Sequence, residues 1–337
     1  MHKSAAISRL CFAISSAESF VSLNALAAAK AKLPPEPIAI RPSLGSKTSP
    51  VPLRIKLVSL SATSIIASSL LKYLSVLQSF ANSTQALIKL FECLSNFDSN
   101  LSIKPTAFGL LLDREVGMDN IEALVSMANE HQMFVRLDME DHRVTDDTIQ
   151  VMLDMHEKGL TNVGVVLQAR LFRTIEDIQS IAQKLGKNAD YRICKGIYLE
   201  PEEISHTDRQ PIIKATNDCV DAMLDAGAYV GIASHDHPVI NHTLEALSKR
   251  KMGPGITDPR PNAGEPRPQK GPGYEFQMLL GVRGPLRRKL CAKGHRTRVY
   301  IPYGEKWYEY SIRRLKENPT IGTQVAKAFL MPWTNRP

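Results

Sequence analysis

From residue 98 onward, short apolar runs alternate with stretches whose apolar residues repeat at helical spacing. The runs predicted as strands are Leu101–Lys104, Phe134–Asp138, Val163–Gln168, Tyr191–Lys195, Tyr229–Ser234, Tyr274–Gln277 and Arg298–Pro302. The predicted helices include Asp119–Glu130, Asp146–Lys158, Thr174–Leu185, Gln210–Ala226 and Glu305–Lys316. This βα repetition predicts an α/β fold. An eighth strand at Leu53–Ser59, the least defined of the set, would complete a (βα)8 TIM-type barrel.

The first 97 residues follow a different pattern. Six prolines between residues 33 and 52 predict an extended linker, so residues 1–52 are interpreted as a disordered or targeting-like extension. Residues 53–97 are predicted to be a helical segment that also contains the candidate first strand. The barrel is predicted over residues 98–330, with a Pro/Gly-rich insert at residues 249–273 that we expect to be an exposed, mobile loop.

Composition and charge narrow the class of protein. The 337 residues are 43% hydrophobic and 23% charged. Such a composition is typical of a soluble globular protein. Most of the net charge of +8 comes from scattered basic residues before residue 98. They accompany no reading motif, and this argues against nucleic-acid binding. Residues 57–71 are uncharged, but they are too few and too rich in serine to span a membrane.

The cysteine spacing and the composition of the N-terminus are compatible with two cellular compartments. The five cysteines are widely spaced and contain no C-x-x-C pair. That spacing favours a reducing compartment such as the cytoplasm. The first forty residues are rich in serine and alanine and poor in acids, as in an organelle transit peptide. A mitochondrial location is therefore the alternative.

Charged or amide side chains lie at or just after the carboxyl ends of five predicted strands: Lys104, Asp138, Gln168, Lys195 and His235. That edge of a barrel is where active sites are built, although any strand also ends in polar residues as it enters a loop. No G-x-G-x-x-G or P-loop motif follows a strand. His235 and His237 form a weak candidate metal pair without a third ligand, so no metal is predicted.

The segment from Arg298 to Pro319 reads as a strand, a turn at Gly304 and a helix. On that helix Tyr310 lies three and four residues before Arg313 and Arg314, so the ring shares a face with at least one guanidinium. Two adjacent arginines can bind a carboxylate or a phosphate. The alternative is a solvated helix face with salt bridges to neighbouring glutamates.

This segment, Arg-Val-Tyr-x-Pro followed by Tyr-x-x-Arg-Arg-Leu-x-Glu-Asn, resembles the signature of the proline dehydrogenase family. Six earlier segments resemble the family in the same order: residues 102–109, 136–141, 166–169, 192–198, 233–236 and 274–281. The resemblance implies a (βα)8 barrel that binds FAD and oxidises L-proline to Δ1-pyrroline-5-carboxylate. Hydride would pass from the proline ring to flavin N5, and the electrons then to membrane quinone.

The resemblance also implies roles for individual residues. Those expected to bind and orient the substrate are Lys104, Asp138, Leu279, Tyr300, Tyr310, Arg313 and Arg314. Those expected to bind FAD are Gln168, Arg192, Lys195, Gly196, His235 and Glu317. Arg192 is expected near flavin N5, where a cation stabilises the reduced ring. Lys104 and Asp138 are expected to pair with each other and with Arg314.

Partners and alternatives follow from the same resemblance. A quinone acceptor implies an enzyme peripheral at a bilayer, where the basic N-terminal third would favour an anionic surface. The first 97 residues and the insert depart from the family pattern. A barrel that binds flavin or an amino acid without turnover, or a hydroxyproline dehydrogenase, therefore remains an alternative. The oligomeric state is undetermined.

Overall fold

A closed barrel of eight parallel strands organises the part of the chain that the computed structural model describes, namely residues 9–14, 74–85, 88, 99–264, 273–280 and 282–303. The strands follow chain order around the barrel: β1 Arg9–Ile14, β2 Asn100–Ile103, β3 Phe134–Leu137, β4 Val163–Gln168, β5 Asp190–Cys194, β6 Tyr229–Ala233, β7 Tyr274–Leu279 and β8 Thr297–Tyr303.

Helices connect the strands on the outside of the barrel. Residues 74–85 form the first described helix, α1. The others are α2 Arg114–Glu130, α3 Thr145–Glu157, α4 Thr174–Leu185, α5 Arg209–Asp225, α6 His237–Lys249 and α7 Gly284–Ala292. Within the described ranges no helix is long and apolar enough to cross a membrane.

The period-two alternation of the strands separates an apolar outer surface from a polar interior. Outward residues such as Ile103, Ile193 and Phe276 are fully buried in one apolar core shared with the helices. Inward positions carry polar groups: Ser102 on β2 accepts a hydrogen bond from Arg192 on β5, two strands that are not neighbours. The bond therefore crosses the interior, and the inward side chains meet there.

The predicted strands from residue 98 onward and four of the predicted helices are confirmed, with one helix starting earlier than expected. The fifth predicted helix, Glu305–Lys316, lies outside the described ranges. Seven predicted strands appear at the predicted places as β2 to β8. Helix α2 begins at Arg114 rather than Asp119, because the Asp113 carboxylate caps it. That carboxylate accepts hydrogen bonds from the backbone N–H of Glu115 at 3.1 Å and of Val116 at 3.3 Å.

The eighth strand is not where we predicted it. The position expected for Leu53–Ser59 is occupied by Arg9–Ile14, which pairs along six residues with β8 and three with β2. The alternating pattern Leu10, Phe12, Ile14 suits a barrel strand, and pairing on both sides closes the sheet. Residues 53–59 themselves lie outside the described ranges.

The described part of the Pro/Gly-rich insert is largely exposed, as predicted, but it is anchored to the barrel at two positions. Residues 250–264 are irregular, but Met252 is buried and the Arg260 side chain is only 7% exposed. Arg260 donates hydrogen bonds to the carbonyl oxygens of Leu224 and Ala228, at 2.7 and 3.0 Å. The first half of the insert is therefore anchored to the turn between α5 and β6.

Candidate active site

Five inward or strand-end side chains converge at the carboxyl-terminal mouth of the barrel. Lys104 follows β2, Asp138 follows β3, Gln168 ends β4, and Arg192 and Tyr300 lie within β5 and β8. Since all eight strands are parallel, these positions meet at one end of the barrel. The polar strand ends that the sequence singled out thus define one site.

Asp138 is the hub of this site. One carboxylate oxygen, Oδ1, accepts hydrogen bonds from Ser102 Oγ and from Arg192 Nη1, both at 2.7 Å. The other, Oδ2, accepts from the Tyr300 hydroxyl at 2.9 Å. The carboxylate is nearly buried. These charge-assisted bonds offset the cost of removing it from water.

Arg192 is held from several sides. Its Nε–H donates to Gln277 Oε1 at 2.5 Å, and its Nη1 donates to Ser102 Oγ at 3.0 Å as well as to Asp138. Its guanidinium carbon lies 5.3 Å from the centre of the Tyr300 ring. This distance is within the range of a cation–π contact. Asp138 forms its ion pair with Arg192. The expected pairing of Asp138 and Lys104 with Arg314 involves a residue outside the described ranges.

Lys104 contributes a second cation at the mouth. Its Nζ lies 3.4 Å from the Tyr198 hydroxyl. Burial disfavours the ammonium form, but attraction from Asp138, Tyr198 and Glu140 outweighs it, so the pKa of Lys104 is raised above its usual value. Lys104 is therefore a fixed positive charge at neutral pH.

Gly196 lies at a crowded, left-handed turn that strongly favours glycine. Its φ is +96°, and a Cβ placed there would lie 2.7 Å from Arg170 Cδ and 2.9 Å from Gln168 Oε1. Only glycine combines this backbone conformation with so close an approach. The Gln168 amide in turn donates from Nε2 to the Glu140 carbonyl oxygen at 2.8 Å. This glycine allows the chain after β5 to pass closely over the end of β4.

Lys195 and His235 lie on the neighbouring part of the rim. Lys195 Nζ pairs with Asp236 Oδ2 at 2.6 Å, and His235 Nε2 accepts a hydrogen bond from the Leu279 backbone N–H at 3.0 Å. Burial, with the nearby Arg283, lowers the pKa of His235 to about 4. The imidazole is therefore neutral at pH 7, and its proton resides on Nδ1, because Nε2 is the acceptor.

These contacts bring most of the predicted site residues together. Asp138, Arg192 and Tyr300 form one hydrogen-bonded cluster, and the negative charge of Asp138 helps to raise the pKa of Lys104. Gln168, Lys195, Gly196, His235 and Leu279 are at the ends of β4 to β7. Four predicted residues lie outside the described ranges: Tyr310, Arg313, Arg314 and Glu317.

Sequence reasoning missed three polar residues that hold the cluster: Ser102, Tyr198 and Gln277. Ser102 lies two residues before Lys104, and Gln277 two residues before Leu279, so each shares the inward face of its strand with a predicted residue. That period-two relationship was the available signal. Tyr198 lies in a loop, where no such periodicity operates.

The donor set fits a flavin dinucleotide. Arg192 and Lys195 supply cations, Gln168 an amide and His235 an Nδ1–H, all from the adjacent strands β4 to β6. Among the described residues, no three His, Cys, Asp or Glu side chains are grouped so as to hold a metal ion.

The fold and the charged mouth define a (βα)8-barrel enzyme, and comparisons identify its family. The sequence model of the Proline dehydrogenase family matches residues 53–327. Proline dehydrogenase from Deinococcus radiodurans is 32% identical over 234 residues, which cover 68% of this chain and 69% of that protein. Proline dehydrogenase 1 from Bacillus subtilis subsp. natto is 30% identical over 233 residues, covering 69% and 70%. The chain belongs to the proline dehydrogenase family and is an oxidoreductase of that class.

Solved structures of proline utilization A (PutA) share the fold. The protein from Bradyrhizobium japonicum has a TM-score of 0.59 at 18% identity over 72% of this chain. A PutA from Bdellovibrio bacteriovorus, described as inactivated by N-propargylglycine, has a TM-score of 0.56 at 23% identity over 65% of this chain. The chain spans about a quarter of those proteins, 26% and 24% of their length.

Proposed function

We propose that this chain oxidises L-proline to Δ1-pyrroline-5-carboxylate with FAD bound at the barrel mouth. The observation that carries the proposal is the cluster of Asp138, Arg192 and Tyr300 at the edge where barrel enzymes place their active sites. Membership of the proline dehydrogenase family supports the substrate, and the donor set of β4 to β6 supports the cofactor.

In this proposal the cofactor is held by Gln168, Arg192, Lys195, Gly196 and His235, together with Glu317. When bound, a flavin accepts a hydride equivalent from the carbon next to the proline nitrogen. Arg192 supplies positive charge beside the ring system, and Asp138 keeps that guanidinium in one orientation. A cation at this place favours the electron-rich reduced state.

The substrate would be bound by complementary charge and shape. Proline is a small zwitterion, so its site needs cations for the carboxylate and apolar surface for the ring methylenes. Lys104 remains protonated because of its raised pKa, and we assign the carboxylate to Arg313 and Arg314. Leu279 and the rings of Tyr300 and Tyr310 supply apolar surface that excludes water from the reacting carbon.

A quinone acceptor dissolved in a bilayer fits the surface around the mouth. Several large apolar side chains in the loops at that end are exposed, among them Phe172 at 51%, Leu199 at 98% and Leu280 at 51%. Apolar side chains beside an active site favour an apolar partner. We therefore propose a cytoplasmic enzyme that associates peripherally with the inner membrane, with a mitochondrial location as the alternative.

The test is anaerobic reduction of the purified full-length chain by L-proline. We expect an oxidised-flavin spectrum that bleaches with proline, and release of Δ1-pyrroline-5-carboxylate, trapped by o-aminobenzaldehyde. N-propargylglycine should abolish the bleaching, as it inactivates the Bdellovibrio protein. A yellow protein that proline leaves unchanged would contradict turnover and favour a binding barrel. Faster bleaching by hydroxyproline would reassign the substrate.

A further inference from the structure

Beneath Arg192 the barrel interior contains a continuous hydrogen-bonded series of charged and amide side chains. Arg298 on β8 pairs with Glu275 on β7 through both carboxylate oxygens, Nε to Oε1 at 2.6 Å and Nη2 to Oε2 at 2.9 Å. Gln277 Nε2 donates to the same Oε1 at 2.6 Å, and Gln277 Oε1 accepts from Arg192 Nε. The series therefore runs from Arg298 up to Asp138 at the mouth.

The chemistry of its neighbours fixes the orientation of the Gln277 amide. Glu275 is fully buried, is bound by Arg298 and receives the Tyr229 hydroxyl at 3.0 Å, so it is an ionised acceptor. Arg192, on the other side, can only donate. The amide must then point its NH2 group at Glu275 and its oxygen at Arg192, since the opposite orientation would place two donors and two acceptors together.

Gly231 on β6 provides the space that Gln277 occupies. It is opposite Glu275 on one side and Arg192 on the other in the strand register. A Cβ at Gly231 would lie 2.5 Å from Gln277 Nε2, closer than real contacts allow, although the backbone there is not in the left-handed region. The neighbouring strand is thus shaped around this amide, independently of the bonds that the amide makes.

We propose that Gln277 is a positioning residue that aims the Arg192 guanidinium at the mouth, with Glu275 and Arg298 as its rigid base. Gln277 is 4% exposed and Arg192 5%, so a guanidinium deprived of the Gln277 oxygen lies away from bulk solvent. Arg192 would then lose its Nε acceptor and rotate relative to Asp138 and Tyr300. One part of this inference rests on the proposed function: that the group facing the Arg192 guanidinium is a flavin ring.

The first test follows the Arg192 Nε–H itself by NMR of the full-length chain labelled at arginine Nε. We expect a slowly exchanging resonance, assigned by its loss in Arg192→Lys. In Gln277→Met, which keeps side-chain length but removes both hydrogen bonds, that resonance should shift and exchange about tenfold faster or more. Gly231→Ala should have the same effect by displacing the amide, and combining the two changes should add little.

The matched control is Met278→Ala, which removes a buried outward side chain from the same strand. It should lower stability without moving the Arg192 resonance, because Met278 belongs to the outer core. With the flavin-loaded protein, Gln277→Met should lower kcat with proline by about tenfold or more while KM changes less. The flavin reduction potential should also fall, because the cation is no longer fixed beside the ring.

Each outcome bears on one proposal only. An unchanged Arg192 resonance in Gln277→Met, or an equal change in Met278→Ala, would overturn the positioning role. If the wild-type chain binds no flavin or is not reduced by proline, the proposed function fails, yet the NMR comparison still decides the role of Gln277.

Discussion

At the scale of single residues, His235 makes a pH-dependent contribution to stability. Its imidazole is half-buried and neutral at pH 7, with a pKa of about 4 against 6.5 for an unperturbed histidine. As pH falls below 6.5 the unfolded chain takes up this proton while the folded chain resists it. Stability conferred by His235 is therefore complete above pH 6.5 and is lost progressively down to about pH 4.

We expect this loss to be about 2–3 kcal/mol in the free energy of unfolding. His235→Asn, which removes the titratable ring, should flatten the dependence between pH 6.5 and 4. Denaturant unfolding at a series of pH values measures it. The exposed His237→Asn is the control and should leave the slope unchanged. A wild-type slope equal to that of His235→Asn would refute the assignment.

The sequence predicted residues at strand ends better than residues within strands. Lys104, Asp138 and His235 could be found because a charge directly after an apolar run stands out. Ser102 and Gln277 are neutral and lie inside their strands, and their roles depend on which strand faces them across the barrel. That information is absent from local pattern, since β2 faces β5 only once the sheet has closed.

At the scale of elements, the turn after β5 depends on Gly196. The residue needs a positive φ and also space for Arg170 and Gln168, so two penalties act at once. Gly196→Ala should lower the free energy of unfolding by about 2–4 kcal/mol and weaken flavin retention. Gly159 has a φ of +83°, and a Cβ placed on it would meet nothing within 4 Å.

Gly159→Ala is therefore the matched control for the backbone penalty alone, expected to cost about 1 kcal/mol. Thermal and denaturant unfolding of both variants separate the two contributions. Equal losses at the two positions would mean that crowding at Gly196 is relieved without cost, and that the glycine serves only the backbone.

Arg260 anchors the insert to the barrel, and the composition of the insert did not predict this contact. Prolines and glycines indicate a loop but say nothing about one arginine that reaches carbonyl oxygens at the end of α5. A lysine ammonium lacks the planar set of N–H groups with which Arg260 donates to both the Leu224 and Ala228 carbonyl oxygens. We therefore expect Arg260→Lys to lower the free energy of unfolding by about 1–3 kcal/mol. Arg114 is half-exposed, and its ion pairs are 3.6 Å or longer. Arg114→Lys is therefore the control and should change stability little.

Urea unfolding of these two variants, with limited proteolysis of the insert, checks that prediction. Faster cleavage within residues 250–264 is expected in Arg260→Lys alone. If cleavage and stability match the wild type, the carbonyl contacts of Arg260 do not hold the insert to the barrel.

At the scale of the whole molecule, alternation and helical spacing sufficed for β2 to β8 but not for the closing strand. The local pattern of apolar residues can identify a strand, but it does not say which strand it pairs with. Both Arg9–Ile14 and Leu53–Ser59 have the length of a strand. The structure pairs Arg9–Ile14 with β8 and β2, although the family match begins only at residue 53. Choosing between the two segments requires a contact between distant parts of the chain, Arg9 with Arg298, which no local pattern contains.

Truncation tests which segment closes the barrel. A chain beginning at residue 50 lacks β1 and should expose the edges of β2 and β8, because unpaired parallel strands leave their N–H and C=O groups open. We expect an unfolding midpoint lower by about 5 °C or more and self-association in size-exclusion chromatography. A chain beginning at residue 9 keeps β1 and is the control, expected to behave as the full chain. If the chain from residue 50 is instead equally stable and monomeric, Arg9–Ile14 is dispensable. The closing strand would then have to come from residues after 50, as predicted for Leu53–Ser59.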